Sequence, residues 1–175
     1  AAGPLHEIHR RHREPRAVDH AADRPVELDE RQAGLAGGPV GRVLVVGIPE
    51  VLDRLQSAGV PVAVLSNKPD LPTRQLVDAL CSRWEFRAVV GERSGVPRKP
   101  DPSAALALAD ALAAPPESVA FVGDTSVDML TARAASMRPV GVLWGFRPQE
   151  VLASGAEAAS TGEELARILG VDDVT

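Results

Sequence analysis

Two carboxylates four residues apart, in Val119-Ala-Phe-Val-Gly-Asp-Thr-Ser-Val-Asp128, are the first candidates for chemistry. An apolar, strand-like run ends at Gly123, so Asp124 stands at a strand tip beside the start of a helix. Asp128 follows one helical turn later on the same side. Paired acids repel each other unless a cation lies between them, and hard oxygen donors of this kind suit Mg2+. The plainer alternative is that Asp124 or Thr125 caps the helix. A second candidate is Val64-Leu65-Ser66-Asn67-Lys68, where a hydroxyl and an amide follow another apolar run. Both groups can hydrogen-bond phosphate oxygens, and both are also ordinary turn chemistry. The third is Arg98-Lys99-Pro100-Asp101-Pro102, which holds one of only two lysines, Lys68 and Lys99. The flanking prolines restrict the backbone and aim Lys99. A lysine at a phosphate site acts as a point charge, although Lys-Pro is also a frequent loop pair.

The elements that must position these residues are short β-branched runs alternating with amphipathic segments. The runs are Val43–Val46, Val62–Leu65, Ala88–Val90, Val119–Val122 and Val140–Leu143. They are nearly continuously apolar, the pattern of strands covered on both faces of a parallel sheet. Helices are expected over Pro49–Ala58, with an apolar face of Val51, Leu52 and Leu55, and over Leu71–Leu80, Pro102–Ala113, Thr125–Ala135, Pro148–Ala153 and Gly162–Leu169. Leu106, Leu108 and Leu112 are expected to form a core stripe. The alternation specifies an α/β fold, a three-layer Rossmann-like parallel sheet with helices on both faces. Ligands in such sheets bind at the carboxyl ends of the strands, where all three candidates lie. Trp144 and Phe146 are expected to pack at the core or rim of that end, and Arg147 to be solvated.

Composition narrows the partners. The net charge of −5 argues against nucleic acid, and no apolar run is long enough to span a membrane. One cysteine, Cys81, allows no internal disulfide and is expected to be inert. With no apolar leader at the start, a cytoplasmic location is expected. Residues 1–38 read as an irregular or disordered segment, and Gly34–Pro39 as a flexible junction. The histidines His6, His9, His12 and His20 all fall in that segment. Their spacing matches no metal motif, so a solvated tail is expected there.

In this order and on this framework, residues 47–169 resemble the haloacid dehalogenase superfamily, nearest to its phosphoglycolate phosphatase-like members. Ile48-Pro-Glu-Val-Leu-Asp-Arg-Leu-Gln-Ser-Ala-Gly59 is similar to the helix leading into the family's second motif. Ser66 falls on that motif's phosphate-binding hydroxyl, with Asn67 beside it, and Lys99 falls on the third motif's lysine. Asp124 and Asp128 fall on the fourth motif, whose acids hold Mg2+. Thr131 to Phe146 resembles the same branch, except that Ser136 stands where glycine is usual, which would strain the turn.

The resemblance implies a Mg2+-dependent phosphatase of small phosphorylated metabolites. Lys99 and Asp124 would be catalytic, Ser66, Asn67 and Lys99 would hold phosphate, and Asp124 and Asp128 would hold the metal. Residues 39–175 would be an incomplete core domain. The family's Asp-x-Asp-Gly-Thr motif, whose first aspartate attacks phosphorus, is absent from the sequence, as is the helical cap that selects substrate. Val43–Val46 can fill the central strand position between the runs ending at Ser66 and Asp124, but its tip is Gly47-Ile48. An empty position would expose two apolar edges, an aggregation hazard that could also favour a dimer. A silent phosphate- and Mg2+-binding domain, or a gene fragment altered upstream by truncation, rearrangement or a shifted frame, is the alternative. A receiver-type signalling domain also carries strand-tip acids and a lysine, but needs an acceptor aspartate after a central strand that is missing here.

Overall fold

The computed structural model describes residues 47–172. The expectations for residues 1–38 and for a strand at Val43–Val46 lie outside the described residues. From Gly47 onward strands and helices alternate: α1 (Ile48–Ser57), β1 (Ala63–Pro69), α2 (Asp70–Leu80), β2 (Ala88–Glu92), α3 (Ser103–Leu112), β3 (Ala120–Gly123), α4 (Ser126–Ala134), β4 (Arg138–Val142), α5 (Pro148–Ala153), β5 (Glu157–Ala159) and α6 (Gly162–Leu169). The α/β layering matches the sequence reading. The short strand β5 does not appear in that reading, because Glu-Ala-Ala has no β-branched residue to signal it.

All pairings are parallel, but the strands form two sheets among the described residues, β1-β2 and β3-β4-β5. Helices cover both faces. On one face Val51 and Leu55 of α1 and Leu165 and Ala166 of α6 pack with Val140, Val142 and Ala159. On the other, Ala105 and Ala109 of α3 meet Ala132, Ala135 and Met137 around α4, with Leu65, Val119 and Phe121 against them. Successive residues of β3 face opposite layers, Ala120 toward the first cluster and Phe121 toward the second, the period-two signature of a strand.

Between the facing edges of β1 and β3 runs an apolar slot of about 510 Å3, lined by Leu65 and Phe121 from the strands, Leu52 and Leu55 from α1, and Ala105 and Leu112 from α3. Burial differs across the strands: β2 and the centrally placed β4 carry most of the buried positions, while β1 has none and Val122 of β3 is 41% exposed.

One helix differs in facing from its expected stripe. The buried face of α3 is Ala104, Ala105, Leu108 and Ala109, and Leu106 is exposed. At about 100° per residue, Leu106 turns one position past the covered face.

Ser136 lies in the left-handed region with φ 57°. It closes α4 with a Schellman pattern: the Met137 N–H donates to Ala132 O and the Ser136 N–H to Arg133 O. The Cβ at this position opposes the carbonyl, so the strain expected from the sequence is present. Ser136→Gly should raise stability by about 1 kcal/mol and the melting temperature by about 3 °C, read by thermal unfolding. An unchanged or lower melting temperature would contradict the strain.

Candidate functional site

The β1-β2 ladder keeps register from Ala63 to Leu65 and then breaks before Pro69. The break releases Ser66, Asn67 and Lys68 from strand pairing at the carboxyl end. Ser66 Oγ accepts the Lys68 N–H at 3.1 Å, which fixes a tight turn and leaves the hydroxyl proton able to donate. Asn67 makes a two-point clamp on another loop: Nδ2 donates to Lys99 O and Oδ1 accepts the Lys99 N–H, each at 3.0 Å. The amide predicted to meet phosphate therefore spends both polar atoms on the backbone of Lys99.

The clamp delivers Lys99 into the cleft between the half-sheets. Its Nζ donates to Leu65 O at 3.1 Å and to Asp128 Oδ1 at 2.7 Å, and it lies 5.7 Å from the centre of the Phe121 ring. The Lys99 and Asp128 side chains are only 12% and 7% exposed, so the pair is largely withdrawn from water. Such a pair stands when both charges are hydrogen-bonded, and fails when either partner is removed.

Asp128 is fully engaged. Its Oδ2 accepts the Thr125 hydroxyl at 2.7 Å and the N–H groups of Thr125 and Asp124 at 3.1 and 3.3 Å. Thr125 Oγ1 in turn accepts the Asp128 N–H, completing a capping box on α4. Of the two residues in the capping alternative, Thr125 caps the helix and Asp124 does not, while Asp128 closes the box from the third helical position. Gly123 is required by this packing, because a Cβ there would lie 2.2 Å from Asp128 Cβ.

Asp124 is placed differently. Its Oδ2 accepts the Phe146 N–H at 2.9 Å, and its second oxygen has no hydrogen bond among the described residues. It also presses on Gly145, where a Cβ would sit 2.2 Å from Asp124 Cβ. The tips of β3 and β4 are thereby locked together. Phe146 is 66% exposed, whereas Trp144 packs against the first core cluster.

Contacts therefore join Asn67, Lys99, Asp128 and Asp124 into one network, with Ser66 on the same strand tip. A divalent cation finds one uncommitted carboxylate oxygen there, on Asp124, and among the described residues no group of three or more His, Cys, Asp or Glu converges to hold a metal. Mg2+ commonly uses one or two carboxylates and completes its shell with water and phosphate, so Asp124 fits as a sole protein ligand. Asp128 would have to give up its cap or its lysine to join it.

Two supporting acids carry no signal in the spacing. Burial raises the Asp70 carboxyl, but hydrogen bonds from Arg74 and the Gly91 N–H, with the nearby charges of Arg74 and Arg93, outweigh it and hold the group below the usual carboxylate range. Asp70 thereby ties the start of α2 to the tip of β2. Glu150 is likewise held low, first by the Ser126 hydroxyl and then by Arg147. Arg147 is accordingly an exposed partner of Glu150. Burial pushes the Cys81 thiol up, away from the reactive thiolate.

A haloacid dehalogenase-like hydrolase profile matches residues 5–136. The chain belongs to that family. The match to this haloacid dehalogenase-like chain reaches further toward the start than residues 47–169, the range carried by its motifs. The chain is 33% identical over 118 residues to the phosphoglycolate phosphatase of Rhodospirillum rubrum, covering 67% of this chain and 49% of that protein. It is 33% identical over 101 residues to that of Xanthomonas campestris pv. campestris, covering 58% and 46%. A crystal structure assigned to a phosphoglycolate phosphatase of Lactobacillus delbrueckii subsp. bulgaricus superposes with a TM-score of 0.65 at 33% identity, over 70% of this chain and 52% of that one. The chain thus spans about half the length of the relatives it matches. No described helix is long and apolar enough to cross a membrane.

Asp128→Asn should destabilise the fold by about 3 kcal/mol, because Lys99 is left buried without its counter-charge. Adding Lys99→Met should recover part of that loss in denaturant unfolding. Purely additive losses would mean that the pair is not coupled.

Proposed function

We propose that the chain carries the phosphate-holding half of a phosphatase-type site for small phosphorylated metabolites, with the phosphoglycolate class of its relatives as first candidate. The observation that carries this reading is the placement of Lys99 Nζ between Leu65 O and Asp128 at the mouth of the cleft, flanked by the Ser66 and Asp124 strand tips. A dianionic phosphate in that mouth would meet one fixed positive charge and one free hydroxyl proton. Both groups are oriented before the ligand arrives, so little ordering is needed on binding. Asp128 keeps Lys99 aimed, and Asn67 sets the loop that brings it there.

Mg2+, held by Asp124, would supply charge neutralisation of the phosphate oxygens. Asp124 is also the strand-tip carboxylate best placed to receive a cation, since Asp128 is committed elsewhere.

A second reading is favoured by the slot itself. Hydrolysis through a covalent phosphoaspartate needs an attacking carboxylate, and among the described residues no acid lies on the slot between β1 and β3. On this reading the chain binds phosphate and Mg2+ without turning substrate over.

One assay separates the two. Mg2+-dependent hydrolysis of an aryl phosphate by the full chain should fall by at least about a hundredfold in Asp124→Asn if the chain is a catalyst. Equal rates in the folded chain and in Asp124→Asn, at the level of buffer, would establish the silent reading. A clear rate that Asp124→Asn leaves intact would remove Asp124 from the site.

A further inference from the structure

We propose that Glu150 is a positioning residue for Asp124: by fastening the turn after β4 to the start of α4, it keeps the Phe146 N–H on one oxygen of Asp124 and leaves the other oxygen to a cation. The inference rests on the reading of Asp124 as the cation's ligand.

The turn runs from Leu143 to Arg147, between β4 and α5. At its start the Leu143 N–H donates to Ala159 O at 2.9 Å, which continues the β4-β5 ladder. Beyond its end, Val151 of α5 is fully buried and lies over Gly141 of β4, where a Cβ would stand 2.1 Å from Val151 Cγ1. Both anchors tie the turn to its own side of the sheet. Neither reaches Asp124, which stands between β3 and α4. The turn meets Asp124 through the Phe146 N–H, at 2.9 Å from Oδ2, and through the close approach of Gly145. The Phe146 side chain is 66% exposed, so its packing does little to hold that N–H in place.

Glu150 supplies the missing restraint. Its Oε2 accepts the Ser126 hydroxyl at 2.6 Å and the Ser126 N–H at 3.4 Å, and its Oε1 accepts Arg147 Nη1 at 2.5 Å. Ser126 is the first residue of α4, two after Asp124, and Arg147 directly follows Phe146. The contacts close a ring. It passes from Asp124 to Phe146, along the chain to Arg147, across to Glu150, on to Ser126, and back along the chain to Asp124. Such a ring restrains the Phe146 N–H against the carboxylate more tightly than one hydrogen bond can. Carboxylates that hold metals are oriented by hydrogen bonds of this kind, and loss of an outer partner typically weakens the metal by about 10- to 100-fold.

Two plainer roles make different predictions. Glu150 can offset the partial positive charge at the start of α4. It can also simply join α4 to α5, as Arg133 does at the other end of the pair by donating Nη2 to Ser154 O at 2.6 Å. Neither role depends on where the Phe146 N–H lies.

The test is nitrogen-15 NMR of the full chain, with the Phe146 amide followed before and during titration with Mg2+. In the unmodified chain that amide should exchange slowly with solvent and shift saturably with Mg2+, the shift being lost in Asp124→Asn. Glu150→Ala should speed its exchange and raise the apparent Kd for Mg2+ by about tenfold or more, while the Val140 and Val142 amides stay unchanged. Glu150→Gln still accepts the Ser126 hydroxyl and should restore most of both readings. Arg133→Ala should alter neither. Should Glu150→Ala fail to fold, Ser126→Ala cuts the same ring from the α4 side and should give the same two changes. An unchanged Phe146 amide and Kd in the folded ring-cutting variant would overturn the proposal while leaving Asp124 as ligand. So would equal losses in Glu150→Gln, the mark of a charge effect alone, or in Arg133→Ala, the mark of general loosening between the helices. A Mg2+ response that survives Asp124→Asn would instead overturn the reading of Asp124, and the proposal with it.

Discussion

A single ammonium group bridges the two halves of this domain. Lys99 belongs to the loop after β2, yet its Nζ bonds the Leu65 carbonyl of β1 and the carboxylate of Asp128 on α4. The half-sheets share no strand pairing among the described residues. This polar bridge and the helices packed across the slot therefore fix their separation. The surroundings are built to hold the bridge: Asn67 grips the lysine backbone, Thr125 and two backbone amides satisfy the second oxygen of Asp128, and Gly123 leaves room for the carboxylate to lie down. Burial of a charge is tolerated only with that degree of satisfaction.

The same geometry explains why the site is half a site. Ser66 and Lys99 come from the β1-β2 side, and Asp124 and Asp128 from the β3-β4 side, so the slot lies between the two sets. In a parallel α/β sheet, chemistry gathers at the carboxyl ends, and the tip of any strand in the slot would point between the lysine and the two acids. Whatever residue stands there decides whether the bound group is merely held or attacked. The family match spans residues 5–136, while the motifs legible in the sequence lie from Ser66 onward.

Much of this architecture is legible in the sequence. The apolar runs announced parallel strands, and Gly and Pro punctuation placed the helices to within a residue or two. Ser136 was visible as a residue in a glycine position, and Lys99 as a rare lysine held between prolines. What could not be read were the choices that tertiary contacts make. Asn67 and Asp128 are both polar groups at element ends, and only the fold shows that one clamps a backbone and the other closes a capping box. Thr125-x-x-Asp128 did carry the pattern of such a box, with Asp in place of the usual Glu or Gln. Leu106 falls off the buried face of α3 because small alanines with Leu108, not a leucine stripe, define that face. The sheet division had no local signal, since a strand edge looks the same in sequence whether paired or open.

The central claim is that Lys99 is poised for phosphate while bonded to Asp128. With only Lys68 and Lys99 in the chain, the two ammonium groups can be told apart by nitrogen-15 NMR of the side chains. During titration with inorganic phosphate in the presence of Mg2+, the account predicts a saturable shift of the Lys99 Nζ signal and of the Ser66 amide, with both responses lost in Lys99→Met. A Lys99 signal that stays fixed while phosphate is added to saturation, or a Ser66 response that survives Lys99→Met unchanged, would contradict it.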